Sequence, residues 1–470
     1  MKSVALHNLG CKVNAYEIDV MQQLLLEKGY KIVPFDEKAD IYIVNTCTVT
    51  NIADRKSRQM LHKAKKNNPD AIVVATGCYV QTDAEIIETD EAIDLAIGNN
   101  RKGEIVRIIE EYLENQSAND VMIDINQTEI FEELELKKTS DHTRAYIKIQ
   151  DGCNQFCSYC VIPYARGRVR SRRPEQVIEE VKQLVVSGYR EIVLTGIHLS
   201  SYGIDFVSKN SEDYLGTEAM KEENSEIISG LSVKDIAQKR GYLLNLMKEL
   251  HEINGLDRIR LGSLEPRIIT EQFVKTLSEL PKVCKHFHLS LQSGSDSVLK
   301  RMNRKYTTQE FREKVNLLRN HFENPAITTD IIVGFPGETD AEFEETRNYV
   351  KEIEFFEMHI FKYSKRKGTQ AAQMKDQILD QVKAGRSSIL LELEREMSKE
   401  FREQFRGKQL SVLFEEKKEL GNKTYWIGHS PEYVKVAMET AENLENKIRQ
   451  CNLVSMLTEE IVLSTEIRNR

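Results

Sequence analysis

Between residues 139 and 369 the sequence sets six short apolar runs apart with mostly helical stretches: YIKIQ, EIVLT, RIRLGSL, HFHLSL, TTDIIVG and HIFKYS. Each run ends in polar or glycine-containing sequence, in order DGCNQFCSYC, GIHLSSYG, EPR, QSG, FPGET and KRKGT. A strand that returns parallel to its predecessor needs a right-handed crossover, and repeating that step curls the sheet toward a (β/α) barrel. Function in such a barrel belongs to the loops at the C-terminal ends of the strands. Six repeats rather than eight predict an incomplete barrel, a partial (β/α)6 unit whose open side has room for a macromolecular substrate. Residues 206–240 interrupt the pattern with polar sequence that lacks apolar periodicity, which predicts a solvated insertion.

The flanks have their own periods. In residues 1–113 the runs SVALHNLGC, IYIVNTC and AIVVATGC each end in a cysteine, with helix patterns over 15–28 and 52–66 between them. That alternation predicts a parallel α/β sheet with all three cysteines at the edge where such sheets bind ligands. Residues 114–138 are polar and acidic and read as a linker holding at most one strand. Residues 370–400 read as a charged helical connector. Residues 401–470 switch to short strands, QLSVLFEEK, TYWIGHS, YVKVAM, NLVSMLT and EIVLST, which predict a small antiparallel β-barrel.

Composition excludes several functions. The net charge of −8 carries no global signature of nucleic-acid binding, so any such site is local. No apolar run approaches the ~20 residues of a membrane span, and the first residues lack the apolar core of a signal peptide. A cytoplasmic protein is expected. Disulfides are rare in that compartment, so the eight cysteines need another account. Cys284 and Cys451 lie in or beside apolar runs and read as inert buried thiols.

The other six fit burial poorly. Cys153, Cys157 and Cys160 form a C-x3-C-x2-C loop directly after the first strand of the barrel. Iron–sulfur clusters take cysteine thiolates at such spacing. A structural zinc site closes with four ligands, and no fourth cysteine or histidine is near in sequence. Three ligands leave one iron open. Cys11, Cys47 and Cys78 are a second trio, joined by fold rather than by spacing. They suit another 4Fe-4S cluster, with a three-ligand zinc site as the alternative.

The loop CNQFCSYC, with aromatic Tyr159 before its last cysteine, resembles the radical S-adenosylmethionine superfamily. The resemblance narrows with NLGCKVNAYE, NTCTVT and GCYVQ, which look like the N-terminal domain of the methylthiotransferases. DGCNQFCSYCVIPYARGRVRSR, LSLQSGSDSVLKRMNR and TDIIVGFPGET look like their radical domain, and YWIGHSPEYVKV looks like the RNA-binding TRAM barrel. Three branches of the family compete. The sequence Gly10-Cys11-Lys12-Val13-Asn14, with Ser263-Leu264-Glu265-Pro266 and Tyr363-Ser364-Lys365-Arg366, resembles the branch acting on N6-threonylcarbamoyladenosine beside the tRNA anticodon. The isopentenyladenosine branch opens with a GCQMN-like stretch, and the branch acting on a ribosomal-protein aspartate with GCPKN.

The resemblance implies two 4Fe-4S clusters and S-adenosylmethionine as cofactors, and the tRNA anticodon stem-loop as partner. The cluster on Cys153, Cys157 and Cys160 would generate the adenosyl radical that removes hydrogen from carbon 2 of the adenine. The cluster on Cys11, Cys47 and Cys78 would hold the sulfur transferred. No general base is needed, so no catalytic residue is nominated beyond the cluster ligands, and His198 and His288 read as packing or polar-contact residues. By position, S-adenosylmethionine candidates are Tyr159, Gly196, Glu265, Gln292 and Asp330. Gly334 and Gly337 read as turn formers. Arg166, Arg168, Arg170, Arg172 and Arg173 follow the cluster loop and are candidates for RNA contact. The basic run from Arg55 to Lys66 reads as an ordinary exposed helix face, and the balanced charges of the terminal barrel give no support for RNA binding there. Competing classes are a two-cluster electron carrier, which would use four cysteines per cluster, and a zinc-dependent RNA-binding protein. The sequence is silent on the electron donor and the sulfur source.

Overall fold

A computed structural model of the 470-residue chain describes residues 2–83, 89–117, 122–138, 143–208 and 241–467. The predicted insertion lies outside the described residues from 209 onward. The N-terminal unit is a parallel sheet in the order β2-β1-β3-β4-β5. Its strands are β1 (Ser3–Asn8), β2 (Lys31–Ile32), β3 (Ile41–Thr46), β4 (Ile72–Gly77) and β5 (Leu95–Ile97). β3 is buried along its whole length and β4 nearly so, as expected for central parallel strands covered on both faces. β2 and β5 have only two and three residues, too short to carry a pattern in sequence.

The barrel strands are β6 (Arg144–Asp151), β8 (Glu191–Gly196), β9 (Arg258–Leu261), β10 (His286–His288), β11 (Ala326–Val333) and β12 (Glu357–Lys362). A two-residue β7 (Arg170–Ser171) pairs antiparallel with β6. β6, β8 and β9 pair in parallel, as do β10, β11 and β12. Parallel bridges Ile259–Val283 and Leu264–Leu289 join the two sets into one curved wall. Two outer helices, Thr308–His321 and Asp340–Ile353, begin with Thr-x-x-Glu capping boxes, which satisfy first-turn amides that would otherwise lack partners.

Among the described strands β12 does not pair with β6, so the barrel is incomplete as predicted. The open side is not left free for substrate, however, because the N-terminal unit bridges it. The helix Lys12–Glu27 packs Met21 and Leu25 on its own sheet and Tyr16 and Val20 into the barrel core. Beyond β12, Ser364 Oγ accepts from Asn51 N at 2.9 Å, and Arg366 donates to Asp54 and Thr48, each at 2.6 Å. The 114–138 segment holds no strand among its described residues. It is a packed strap, with Leu134 and Leu136 in the barrel core and Tyr16 Oη donating to Leu134 O at 2.5 Å. The connector is the helix Asp380–Glu403, whose Arg386 pairs with Glu338 at 2.6 Å.

The C-terminal strands β13 (Gln409–Leu420), β14 (Lys423–His429), β15 (Lys435–Met438), β16 (Ile448–Met456) and β17 (Ile461–Glu466) close a ring in the order β13-β14-β15-β17-β16. The expected antiparallel barrel is corrected to a mixed one, because β15 and β17 run parallel. A ring of five strands cannot alternate direction all the way round, so one pair must be parallel. This ring closes the N-terminal end of the (β/α) wall. Arg258 donates to His429 O and Ser411 O, each at 2.9 Å, and Arg260 donates to Pro431 O and Ser430 O at 3.1 and 3.2 Å. Tyr433 stacks on His286 at 4.8 Å between ring centroids, with the Arg260 guanidinium 4.8 Å from its own ring centre. Among the described residues no helix is long and apolar enough to cross a membrane.

Candidate iron–sulfur and substrate site

Adjacent parallel strands end together, so β1, β3 and β4 bring Cys11, Cys47 and Cys78 to one edge. The approach is close: a Cβ on Gly10 would lie 3.0 Å from Cys47 Sγ, and one on Gly77 would lie 2.5 Å from Thr46 O. Both glycines have φ near +100°, a conformation that L side chains rarely adopt. Asn14 ties the edge by donating to Leu9 O at 2.7 Å and Thr46 O at 3.0 Å. Burial, with repulsion from Cys78 and Cys11, pushes the Cys47 thiol up to about 12. Burial raises Cys11 as well, against the pull of Arg166. To ligate a metal these thiols must lose their protons, which a cation among them favours.

Arg166, which the sequence offered as an RNA contact, supplies part of that charge. It is fully buried. Its Nε donates to Cys78 Sγ at 3.2 Å, Nη1 to Glu17 at 2.6 Å and Nη2 to Asn14 Oδ1 at 2.6 Å. Glu17 also takes Lys102 at 2.5 Å and Lys148 at 2.7 Å, and Lys148 reaches Asp151 at 2.7 Å. Burial alone would raise the Glu17 carboxyl, but Arg166, Lys102 and Lys148 hold it well below the usual carboxylate range. Asn99 adds an amide 3.8 Å from Cys78 Sγ. Arg170 and Arg172 are buried too, facing Asp151 at 3.8 Å and Glu180 respectively. These three arginines are therefore internal ion-pair partners, unavailable to RNA. Arg168, over the Phe156 ring at 4.6 Å, and Arg173 remain exposed.

The second trio sits on the loop after β6. Gly152 has φ +71°, and a Cβ there would lie 1.9 Å from Arg168 O. Phe156 has positive φ with its carbonyl held by Asn303 at 2.9 Å, and Ser158 N bonds Met302 O at 3.0 Å. Burial pushes the Cys153 thiol up to about 11 and raises Cys160 as well. Arg304 Nη1 donates to Cys157 Sγ at 3.3 Å, the same arrangement as Arg166 on Cys78. Arg304 closes the LSLQSGSDSVLKRMNR stretch, without an assigned role. Asn14 stood in the GCKVN motif without an assigned role.

Both trios fit a cluster better than a lone ion. A zinc ion ~2.3 Å from each sulfur needs sulfurs within about 3.8 Å of one another. Among the described residues, the one set of His, Cys, Asp and Glu whose donor atoms all lie within 4.8 Å is His288, Asp330 and His359, so neither cysteine trio closes that tightly. The wider spacing suits several irons, and Arg166 and Arg304 supply the hydrogen bonds to sulfur that tune such clusters.

The remaining candidates line the barrel. Tyr159 packs on the cluster formed by Val298, Met302 and Phe335. Gly196 ends β8, where a Cβ would lie 2.9 Å from Gln150 Oε1. Glu265 follows β9, its N donating to Ser200 Oγ at 2.8 Å and its carboxylate accepting from Arg267 at 2.5 Å. Gln292 has φ +75° and is clasped by backbone bonds to Asp330 and Ile332. Asp330 lies inside β11 rather than at its end, and its oxygens accept from His288 at 3.2 Å and His359 at 3.1 Å. His288 is thus a polar-contact residue, as expected, and so is His198, which bonds Ser201 Oγ at 2.6 Å. Cys284 and Cys451 are buried, and Gly334 and Gly337 occupy positive-φ turns.

Residues 147–350 match the family described as Radical SAM superfamily, and residues 3–98 match the one described as Uncharacterized protein family UPF0004. The threonylcarbamoyladenosine tRNA methylthiotransferase MtaB of Bacillus subtilis is 40% identical over 95% of this chain and 93% of its own length. The protein of the same description from Aquifex aeolicus is 39% identical over 90% and 95%. A tRNA-2-methylthio-N(6)-dimethylallyladenosine synthase of Thermoanaerobacter is 36% identical over 86% and 80%. Among solved structures, the radical S-adenosylmethionine methyltransferase TsrM from Kitasatospora setae aligns over 77% of this chain and 75% of its own, with TM-score 0.51 and 17% identity, a likeness of fold alone.

Proposed function

Because the chain belongs to the radical S-adenosylmethionine methylthiotransferases, we propose that it adds a methylthio group to carbon 2 of N6-threonylcarbamoyladenosine at position 37 of tRNA. The observation that carries this reading is the presence of two cysteine trios, with Arg166 of the segment after the second donating to Cys78 of the first, in a chain 40% identical to a protein of that description over 95% of its length. When bound, two 4Fe-4S clusters and S-adenosylmethionine supply the radical and sulfur-transfer chemistry.

The chain's own residues hold and orient. Cys153, Cys157 and Cys160 would hold the cluster that engages S-adenosylmethionine, with Arg304 supporting Cys157. Cys11, Cys47 and Cys78 hold the other, with Arg166 supporting Cys78. Tyr159, Gly196, Glu265 and Gln292 border the place where S-adenosylmethionine binds. The C-terminal ring acts as a TRAM unit that grips the anticodon stem-loop, with Arg168 and Arg173 on phosphate. The enzyme works in the cytoplasm.

Mass spectrometry of tRNA nucleosides from cells with and without the gene tests the reading. Loss of 2-methylthio-N6-threonylcarbamoyladenosine with accumulation of its unthiolated parent is expected. Loss of the isopentenyl counterpart instead would move the enzyme to the sister branch, and an unchanged tRNA would turn attention to a ribosomal-protein aspartate.

A further inference from the structure

Three neighbouring barrel strands place two histidines and an aspartate on one face. His288 pairs in register with Thr328 across β10 and β11, and Asp330 pairs with His359 across β11 and β12. Residues two apart on a strand point to the same side, so Thr328 and Asp330 bring both imidazoles to one carboxylate. Asp330 Oδ2 lies 3.2 Å from His288 Nε2, and Oδ1 lies 3.1 Å from His359 Nδ1. One donor atom from each lies within 4.8 Å of the other two, a spacing that no other set of His, Cys, Asp and Glu reaches among the described residues. His288 Nδ1 is held by Thr328 Oγ1 at 3.0 Å, which leaves Nε2 as the nitrogen turned to the aspartate. The group is reachable: the side chains of His288, Asp330 and His359 are 11%, 26% and 62% exposed. His359 lines a cavity of about 580 Å³ whose walls carry six glutamates against four lysines and arginines. Glu357 and Arg402 among these pair with each other, so acid remains in excess.

Coordination chemistry says what such a group can hold. Two imidazoles with one carboxylate suit zinc and divalent iron. A tetrahedral ion about 2.1 Å from each donor sets the donors roughly 3.4 Å apart. Both histidine–aspartate separations are already close to that. A metal-bound imidazole ordinarily gives its other N–H to a neighbouring acceptor, and Thr328 Oγ1 is that neighbour for His288. Three protein ligands leave a further position for water, the pattern of an exchangeable site, and the exposed side of His359 gives it access. The acid-rich wall beside it favours the approach of a cation. We propose that His288, Asp330 and His359 bind a single divalent transition-metal ion of the zinc and ferrous class. No cysteine takes part, and Asp330 lies within β11 rather than at its end, so this site is separate from both cysteine trios.

The test uses full-length, cluster-loaded protein, handled without oxygen and dialysed to equilibrium against micromolar zinc chloride. Zinc and iron are counted by mass spectrometry, and X-ray absorption at the zinc edge identifies the ligands. The wild type is expected to hold one zinc per chain with its iron unchanged, and to show only nitrogen and oxygen at about 2.0–2.2 Å. His359→Ala and Asp330→Asn should each weaken zinc binding by roughly 100-fold, and Thr328→Val, which removes only the outer partner of His288, by roughly 10-fold. His359 is the exposed member, so its truncation leaves the packing of the barrel intact, and iron content with circular dichroism checks that every variant is folded and loaded. A wild type that retains no zinc overturns the proposal. So does zinc binding undiminished in His359→Ala and Asp330→Asn, and so does a sulfur shell at about 2.3 Å, which would put the ion on a cysteine trio.

Discussion

Arg166 uses its guanidinium on four partners: a cysteine of the N-terminal trio, Glu17, Asp151 and Asn14. Its neutral replacement takes one cation from the buried carboxylates Glu17 and Asp151, which keep Lys102 and Lys148, a loss on the order of 1.5–3 kcal/mol. Arg166→Gln is expected to lose iron at the N-terminal trio while keeping it at Cys153, Cys157 and Cys160. Iron analysis with electron paramagnetic resonance, alongside urea unfolding, reads both effects. The two trios were legible in the sequence because one shows as C-x3-C-x2-C spacing and the other as a cysteine at the end of each of three parallel strands, and neither needs knowledge of partners. The arginines were not. Glu17 lies 149 residues before Arg166 in the chain, and a run of arginines looks the same whether it meets water or buried acids. Lys102 and Lys148, fully buried on that same glutamate, left no mark in the sequence for the same reason.

At the scale of elements, the loop after β6 is shaped by backbone that only glycine tolerates. Gly152→Ala would place a Cβ 1.9 Å from Arg168 O and force a positive φ on a residue with a side chain. The conformational part alone costs roughly 1–2 kcal/mol, and the clash moves the loop. Expected is loss of iron at the second trio with iron retained at the first, the mirror image of the Arg166→Gln result, measured by the same iron analysis. All six barrel strands were legible because each is an apolar run followed by a polar loop. The direction of the terminal strands was misjudged, although a count of five strands in a closed ring already demands one parallel pair. The short β2 and β5 had no chance of notice, since two or three residues make no period.

For the molecule as a whole, Glu191 is the hub where barrel and ring meet. It sits with Arg260 at 2.8 Å, Arg258 at 3.4 Å and Arg144 at 4.0 Å. Burial would raise its carboxyl, but Arg260, Arg144 and Arg258 hold it at about 2, against 4.5 unperturbed. A depressed folded-state pKa stabilises the fold fully above the unfolded value, and that stabilisation fades as pH falls from about 5 toward 2. The group contributes on the order of 3 kcal/mol. Urea unfolding of the wild type should therefore lose about that much more stability between pH 6 and pH 2 than Glu191→Gln, and equal slopes would refute the assignment. The docking of the ring was illegible for want of any local signal: it rests on arginines that begin a strand and on backbone carbonyls some 170 residues away.

The Glu17–Arg166 network also bears on how such a protein is made and inherited. A ribosome delivers residues 1–113 well before Arg166 emerges. During that interval the edge holding Cys11, Cys47 and Cys78 lacks its guanidinium, and Glu17 has Lys102 but neither Lys148 nor Arg166. A metal at that edge would then be expected to enter after translation of the cluster loop rather than during synthesis of the first sheet. A gene fusion that moved the first 113 codons alone into another enzyme would carry three cysteines without the group that completes their site.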